Sequence, residues 1–160
     1  MEKDTKINKD KLAMIENLAK NLLDKLKTGK YKIEVVDDAE NELIRVLITL
    51  DDPGVMIGFK GRTLASFQLI LGLMANASLG DYQRILVDIN NYRQEQDERL
   101  RAVASQAAEK AIETGQEVRL LPMTPYERRL IHMTLSDDPQ IETFSEGEGS
   151  SRQIVIKPKQ

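Results

Sequence analysis

The 160-residue chain is 41% hydrophobic and 31% charged, with no cysteine and a formal net charge of −3. That composition suits one large or two small globular domains, and it excludes a disulfide scaffold, a thiol nucleophile and a cysteine-based zinc site. The acidic balance weighs against indiscriminate binding to duplex DNA, so any nucleic-acid site has to be a local basic patch.

The chain begins Met1-Glu2-Lys3-Asp4-Thr5-Lys6, polar and mixed in charge, and residues 1–10 are expected to form a flexible end. No apolar h-region and no run of about 18 apolar residues is present, so neither a signal peptide nor a membrane span is expected, and a cytoplasmic location is. From Lys11, the apolar residues Ile15, Leu18, Ala19, Leu22 and Leu26 share one helical face, and Gly29 stops the helix. Tyr31 to Val36 alternates as a strand, Asp37 to Asn41 turns, and Leu43 to Leu50 is a second, more buried strand. Asp51-Asp52-Pro53-Gly54 breaks it. An apolar turn and Gly58-Phe59-Lys60-Gly61 lead into a helix from Thr63 to about Leu79. That helix is apolar enough to need cover on most sides. Arg84 to Ile89 is a third strand.

Asn90-Asn91 marks a boundary, so residues 11–91 form a first domain and 92–160 a second. Tyr92 to Thr114 is a helix with Leu100, Val103, Ala104, Ala107, Ala108, Ala111 and Ile112 on one face, closed by Gly115. Val118 to Leu121 is a short strand. Thr124, Pro125 and Glu127 form a capping-box pattern for a helix that runs to about Leu135. Ile141 to Phe144 and Arg152 to Ile156 flank an acidic loop, expected to be a hairpin with a flexible tip. The fold class is α+β, with two small αβ domains: a three-stranded sheet with helices, then a small three-stranded sheet with two helices.

Two motifs carry chemistry. In Gly58-Phe59-Lys60-Gly61 the glycines allow a tight turn and close approach of a phosphate, the following helix offers free N–H groups, and Lys60 and Arg62 add charge. Phe59 can stack on a base, pack on the neighbouring helix or sit at a protein interface. In the second, Arg128 and His132 lie four apart on one helix face and could grip a phosphate together. The plainer alternative pairs Arg128 with a carboxylate, while His132 merely caps or packs. Arg129, Arg152, Lys157, Lys159 and Arg119 could extend a basic surface, or form a solvated face.

Ile57-Gly58-Phe59-Lys60-Gly61, after two strands and before a helix and strand, resembles the GXXG loop of a type II KH domain, which clamps about four nucleotides of a single strand. Gly61 to Gln68 is similar to the KH domain of the bacterial Jag family, also called KhpB or SpoIIIJ-associated proteins. Tyr126-Glu127-Arg128-Arg129, His132, Asp137-Asp138-Pro139 and Ser145 to Gly149 resemble the single-stranded nucleic-acid module named for its Arg-x-x-x-His motif, which follows the KH domain in that family. The resemblance covers about residues 30–157. Phe59 departs from the polar pair common between the glycines, and the family's further small N-terminal domain is not in this sequence.

The resemblance implies single-stranded RNA binding, with single-stranded DNA as a possible substitute, through Gly58, Phe59, Lys60, Gly61, Arg62, Arg128, Arg129, His132 and Arg152. It implies pairing with a second copy or a small KH protein, and a post-transcriptional regulator or RNA chaperone linked to cell elongation or division. The alternative is a protein-interaction module of the same fold that has lost its ligand. No catalytic residue, metal or cofactor is expected: one histidine and no cysteine leave no two-histidine metal site, and no Walker A or G-x-S-x-G motif is present.

Overall fold

Alternation in the first half of the chain builds cross-strand rows. In the computed structural model, which describes residues 2–159 and side chains from Lys9 onward, β1 (Tyr31–Asp38), β2 (Leu43–Leu50) and β3 (Ile85–Ile89) form a sheet in the order β1-β2-β3. β1 is antiparallel and β3 parallel to β2. The register aligns Val35 with Val46 and Val87, and Ile33 with Ile48 and Ile89, so stiff β-branched side chains stack on one face. Helices α1 (Glu2–Leu26) and α3 (Arg62–Leu79) cover that face with Ile15, Ala19 and Leu23 from one and Leu64, Phe67, Leu71 and Ala75 from the other. A parallel β2–β3 pair needs a crossover. It is supplied by α2 (Gly54–Ile57), a 3-10 turn at Phe59–Gly61, and α3.

Helix α1 begins at Glu2, and residues 2–10 contain no glycine or proline to stop a helix. One expectation for this half is corrected: α3 is covered on one side only. Its core stripe repeats every three or four residues, while Leu69 and Leu73, each 63% exposed, and the half-exposed Ile70 face away from the sheet.

The chain divides after Arg93 into two compact units. The second contains α4 (Tyr92–Thr114, from Gln94 on), β4 (Val118–Arg119), α5 (Pro125–Leu135), β5 (Ile141–Glu146) and β6 (Gln153–Pro158). Its antiparallel sheet has the order β4-β6-β5. Ile141, Ile154 and Ile156 meet Ala104, Ala107, Ala108 and Ala111 of α4 and Ile131 and Leu135 of α5. The alanine stripe lets α4 lie close to its neighbours, and the larger residues expected in that face flank it: Leu100 is half-buried, Val103 and Ile112 more exposed. The acidic tip expected to be flexible is closed. A 3-10 turn at Gly149–Ser151 is held by the Ser151 N–H and Oγ, which donate to the Glu148 carbonyl at 3.1 and 2.8 Å.

The chain is thus α+β, two small αβ units in series. No helix is long and apolar enough to cross a membrane, among the described residues.

Candidate nucleic-acid interface

The glycine loop of the first unit is held from behind at three points. Asn90, beyond β3, accepts from the Leu50 N–H and donates to the Leu50 carbonyl, both at 2.9 Å, which fixes the end of β2. Gly58, at φ 69° and ψ −178°, occupies backbone space essentially reserved for glycine. A Cβ there would lie 2.1 Å from Thr63 Oγ1. Gly61 is left-handed at φ 75°, and a Cβ would meet the Tyr92 ring at 3.0 Å. Both glycines are therefore demanded by packing, and the packed sides turn the loop's other residues outward.

Those residues are well presented. Phe59 is 75% exposed, which settles the alternative that it packs on the neighbouring helix. Val55, at 79%, is another exposed apolar side chain on the short α2 just before the loop. Lys60 sits in left-handed space at φ 51°, with its ammonium 5.8 Å from the Phe59 ring centroid. Arg62, at the start of α3, is exposed and has no ion-pair partner among the described residues. The loop so joins an aromatic face to two cations at a helix N-terminus, the combination that backbone-tracking, base-stacking sites use.

In the second unit α5 is anchored at its first turn. Thr124 Oγ1 accepts from the Glu127 N–H at 3.3 Å, and the buried Glu127 carboxylate accepts from the Thr124 N–H at 2.7 Å, a closed capping box. Arg128 does not pair with a carboxylate. Its Nη1 donates to the Met123 carbonyl at 2.7 Å, and the Met123 N–H donates to the Arg152 carbonyl at 3.2 Å, so Arg128 and Arg152 meet through one residue of backbone. His132 is exposed, not packed away, and its Nδ1 is hydrogen-bonded to Thr143 Oγ1 on β5. Arg129 and Arg152 are exposed, and like Arg128 they have no ion-pair partner among the described residues.

Charge is sorted by sheet face. The register puts Thr143 beside Ile156 and Ser145 beside Ile154, on the helix side of the sheet. Glu142 opposite Lys157, Phe144 opposite Val155, and Arg119 alternate onto the other side. There Arg119 bonds to Glu117 Oε1 at 2.6 Å and to Glu146, and these carboxylates, Glu117 foremost, raise its pKa. Arg119 therefore does not extend the cationic surface of Arg128 and Arg129.

Within each unit the residues singled out from sequence fall together: Gly58 to Arg62 in one, Arg128, Arg129, His132 and Arg152 in the other. Tyr92 behind the loop and Thr143 beside His132 are additions. Neither has a motif around it; strand parity would have put Thr143 on the helix side, but nothing local links it to a residue of α5.

A family profile of the KhpA/KhpB KH domain matches residues 13–89, and a profile of the R-three-H domain, the Arg-x-x-x-His module, matches residues 98–158. The chain thus carries a KhpA/KhpB-type KH domain followed by an R-three-H domain, and it is similar over most of its length to KhpB proteins. Among KhpB relatives, the RNA-binding protein KhpB of Clostridium symbiosum is 40% identical over 123 residues, covering 77% of this chain and 55% of that protein. The RNA-binding protein KhpB of Bacillus subtilis (strain 168) is 35% identical over 130 residues, covering 80% of this chain and 62% of that protein. That of Streptococcus pneumoniae serotype 2 is 28% identical over 123 residues, 75% of this chain and 37% of the relative. The chain thus spans less than two thirds of each of these KhpB proteins.

Proposed function

We propose that the chain binds single-stranded RNA at two points, the glycine loop of its KH domain and the Arg-x-x-x-His face of its second domain. The observation that carries this reading is the sorting of charge: Arg128, Arg129 and Arg152 have no ion-pair partner among the described residues and share a unit with an exposed imidazole, while Arg119 is bound by carboxylates on the other sheet face. Guanidinium groups with no carboxylate of their own call for phosphate. Phe59 supplies a stacking face, and Lys60 and Arg62 the charge, at the loop. The reading extends, on family resemblance, to a cytoplasmic post-transcriptional regulator or RNA chaperone linked to cell elongation or division. It assigns no catalytic step. Single-stranded DNA would satisfy the same contacts.

The test is a salt titration of binding to a labelled mixed-sequence single-stranded oligoribonucleotide. Lys60→Asp reverses the charge at a left-handed position that aspartate tolerates, so the loop should keep its shape. Combined with Arg128→Ala, it should weaken binding at least about tenfold and flatten the salt dependence, each lost phosphate contact lowering the slope by about 0.7. A double variant that binds like the parent ends the proposal.

A second reading concerns association, favoured by the uncovered side of α3. Thr63 to Leu79 contains no charged residue, and Leu69, Ile70 and Leu73 make an exposed apolar stripe at helical spacing. That face would suit a second KH domain, from another copy or a small KH protein. Ile70→Asp should then shift the protein toward monomer in sedimentation, and should leave single-site RNA contacts in place.

A further inference from the structure

We propose that Thr143 is a positioning residue for nucleic-acid binding: it holds the His132 ring so that Nε2–H projects as a hydrogen-bond donor toward a phosphodiester oxygen. The proposal rests on the RNA-binding reading above and adds how this contact is made and what it can accept.

The geometry begins with β5. Thr143 lies on the helix side of the sheet, opposite Ile156, and its β-branched side chain is held to few rotamers in a strand. Its Oγ1 meets Nδ1 of His132, which stands on α5 one turn beyond Arg128. A hydroxyl has a single proton to give. The His132 ring is the one hydrogen-bond partner of the Thr143 side chain among the described residues. If Nδ1 accepts that proton, the hydroxyl is satisfied and the neutral ring carries its own proton on Nε2. The opposite arrangement, with Nδ1–H donating to Oγ1, leaves the proton of a half-buried hydroxyl without a protein acceptor, a costlier outcome. Thr143 thus fixes both the ring plane and the tautomer.

The ligand class follows. With Nε2–H outward, the side-chain groups that the motif brings to this unit are all donors: the imidazole, the remaining guanidinium N–H groups of Arg128, and Arg129 and Arg152. A ligand must accept from several directions and carry negative charge. The non-bridging oxygens of a phosphodiester do both, whereas a base amine or a cationic side chain finds no acceptor among these groups.

The experiment uses the fact that His132 is the one histidine in the chain, so its ring nitrogens are identified without ambiguity in a 15N spectrum. In the parent, Nε2 should be protonated and Nδ1 bare. Thr143→Val should release the ring toward a mixture of tautomers and weaken binding to the oligoribonucleotide about three- to tenfold, the worth of one ordered hydrogen bond. Thr143→Ser should restore both the spectrum and the affinity, which a merely structural role for the threonine methyl would not allow. A neutral parent ring protonated on Nδ1 overturns the proposal, and so does Thr143→Val binding like the parent. His132→Ala separates the two levels of the argument. If it binds like the parent, the phosphate contact itself is wrong. If it loses affinity while Thr143→Val does not, only the role of Thr143 falls.

Discussion

The loop of the first unit and the helix face of the second offer the same chemistry, positive charge toward a phosphate, built in opposite ways. The loop is a backbone device. Gly58 and Gly61 are pressed against Thr63 and Tyr92, and the shape so forced throws Phe59 and Lys60 into solvent. The face of α5 is a side-chain device on an ordinary helix: a capping box and a bond from Arg128 to the Met123 carbonyl set the first turn, and the functional groups ride on it. A backbone device should be destroyed by adding one carbon. A side-chain device should lose one contact at a time.

The largest expected effect tests the first half of that contrast. Gly58→Ala puts a methyl 2.1 Å from Thr63 Oγ1 in a backbone region that other residues avoid. It should cost about 1–3 kcal/mol of stability, or reshape the loop, and in either case abolish binding through the first unit. Gly61→Ala, in ordinary left-handed space with a 3.0 Å contact to a ring that can shift, should cost about 1–2 kcal/mol and leave partial binding. Thermal melts with oligonucleotide titrations rank the two, and an equal, mild effect of both would mean that the loop is not set by its packing.

Arg128→Ala comes next, because Arg128 both presents charge and holds its own scaffold. Losing the charged hydrogen bond to the Met123 carbonyl should cost about 1.5–3 kcal/mol in urea unfolding, alongside weaker RNA binding. Arg129→Ala removes a guanidinium with no ion-pair partner among the described residues, so stability should change by less than about 0.5 kcal/mol while the salt slope falls by about 0.7. The pair separates scaffold from contact on one turn of helix. Equal stability losses would show that Arg129 is anchored as well.

Much of this was legible in the sequence, and the reasons are local. The capping box at Thr124-Pro125-Tyr126-Glu127, the buried strand from Leu43 and the 23-residue helix Tyr92–Thr114 are written in neighbouring residues, and they form as read. What could not be read was set by pairing across the chain. Exposure of Leu69 and Leu73 depends on how many layers surround α3, which its own apolarity does not tell. Capture of Arg119 by Glu146 joins residues 27 apart, and capture of His132 by Thr143 joins residues 11 apart across the turn between α5 and β5. The acidic tip looked mobile because its composition is polar; closure depends on the Ser151 hydroxyl reaching back to one carbonyl.

The smallest expected effect is the most pointed, because it tests whether face matters more than charge. Arg119→Ala removes the same unit charge as Arg129→Ala and belongs to the same domain. Its guanidinium is already engaged by Glu117 and Glu146 at an exposed position, where ion pairs contribute little to stability. The variant also frees two carboxylates, but on the sheet face away from α5, and at physiological salt charges are screened over about 8 Å. RNA affinity should therefore stay within about twofold of the parent, and the salt slope should be unchanged, since no counterion-releasing phosphate contact is lost. If Arg119→Ala instead flattens the slope as Arg129→Ala does, the nucleic acid reaches both faces of the sheet. The carboxylates around Arg119 would then be a latch that the ligand opens, and the half-exposed Phe144 in the same cross-strand row would be the next residue to replace.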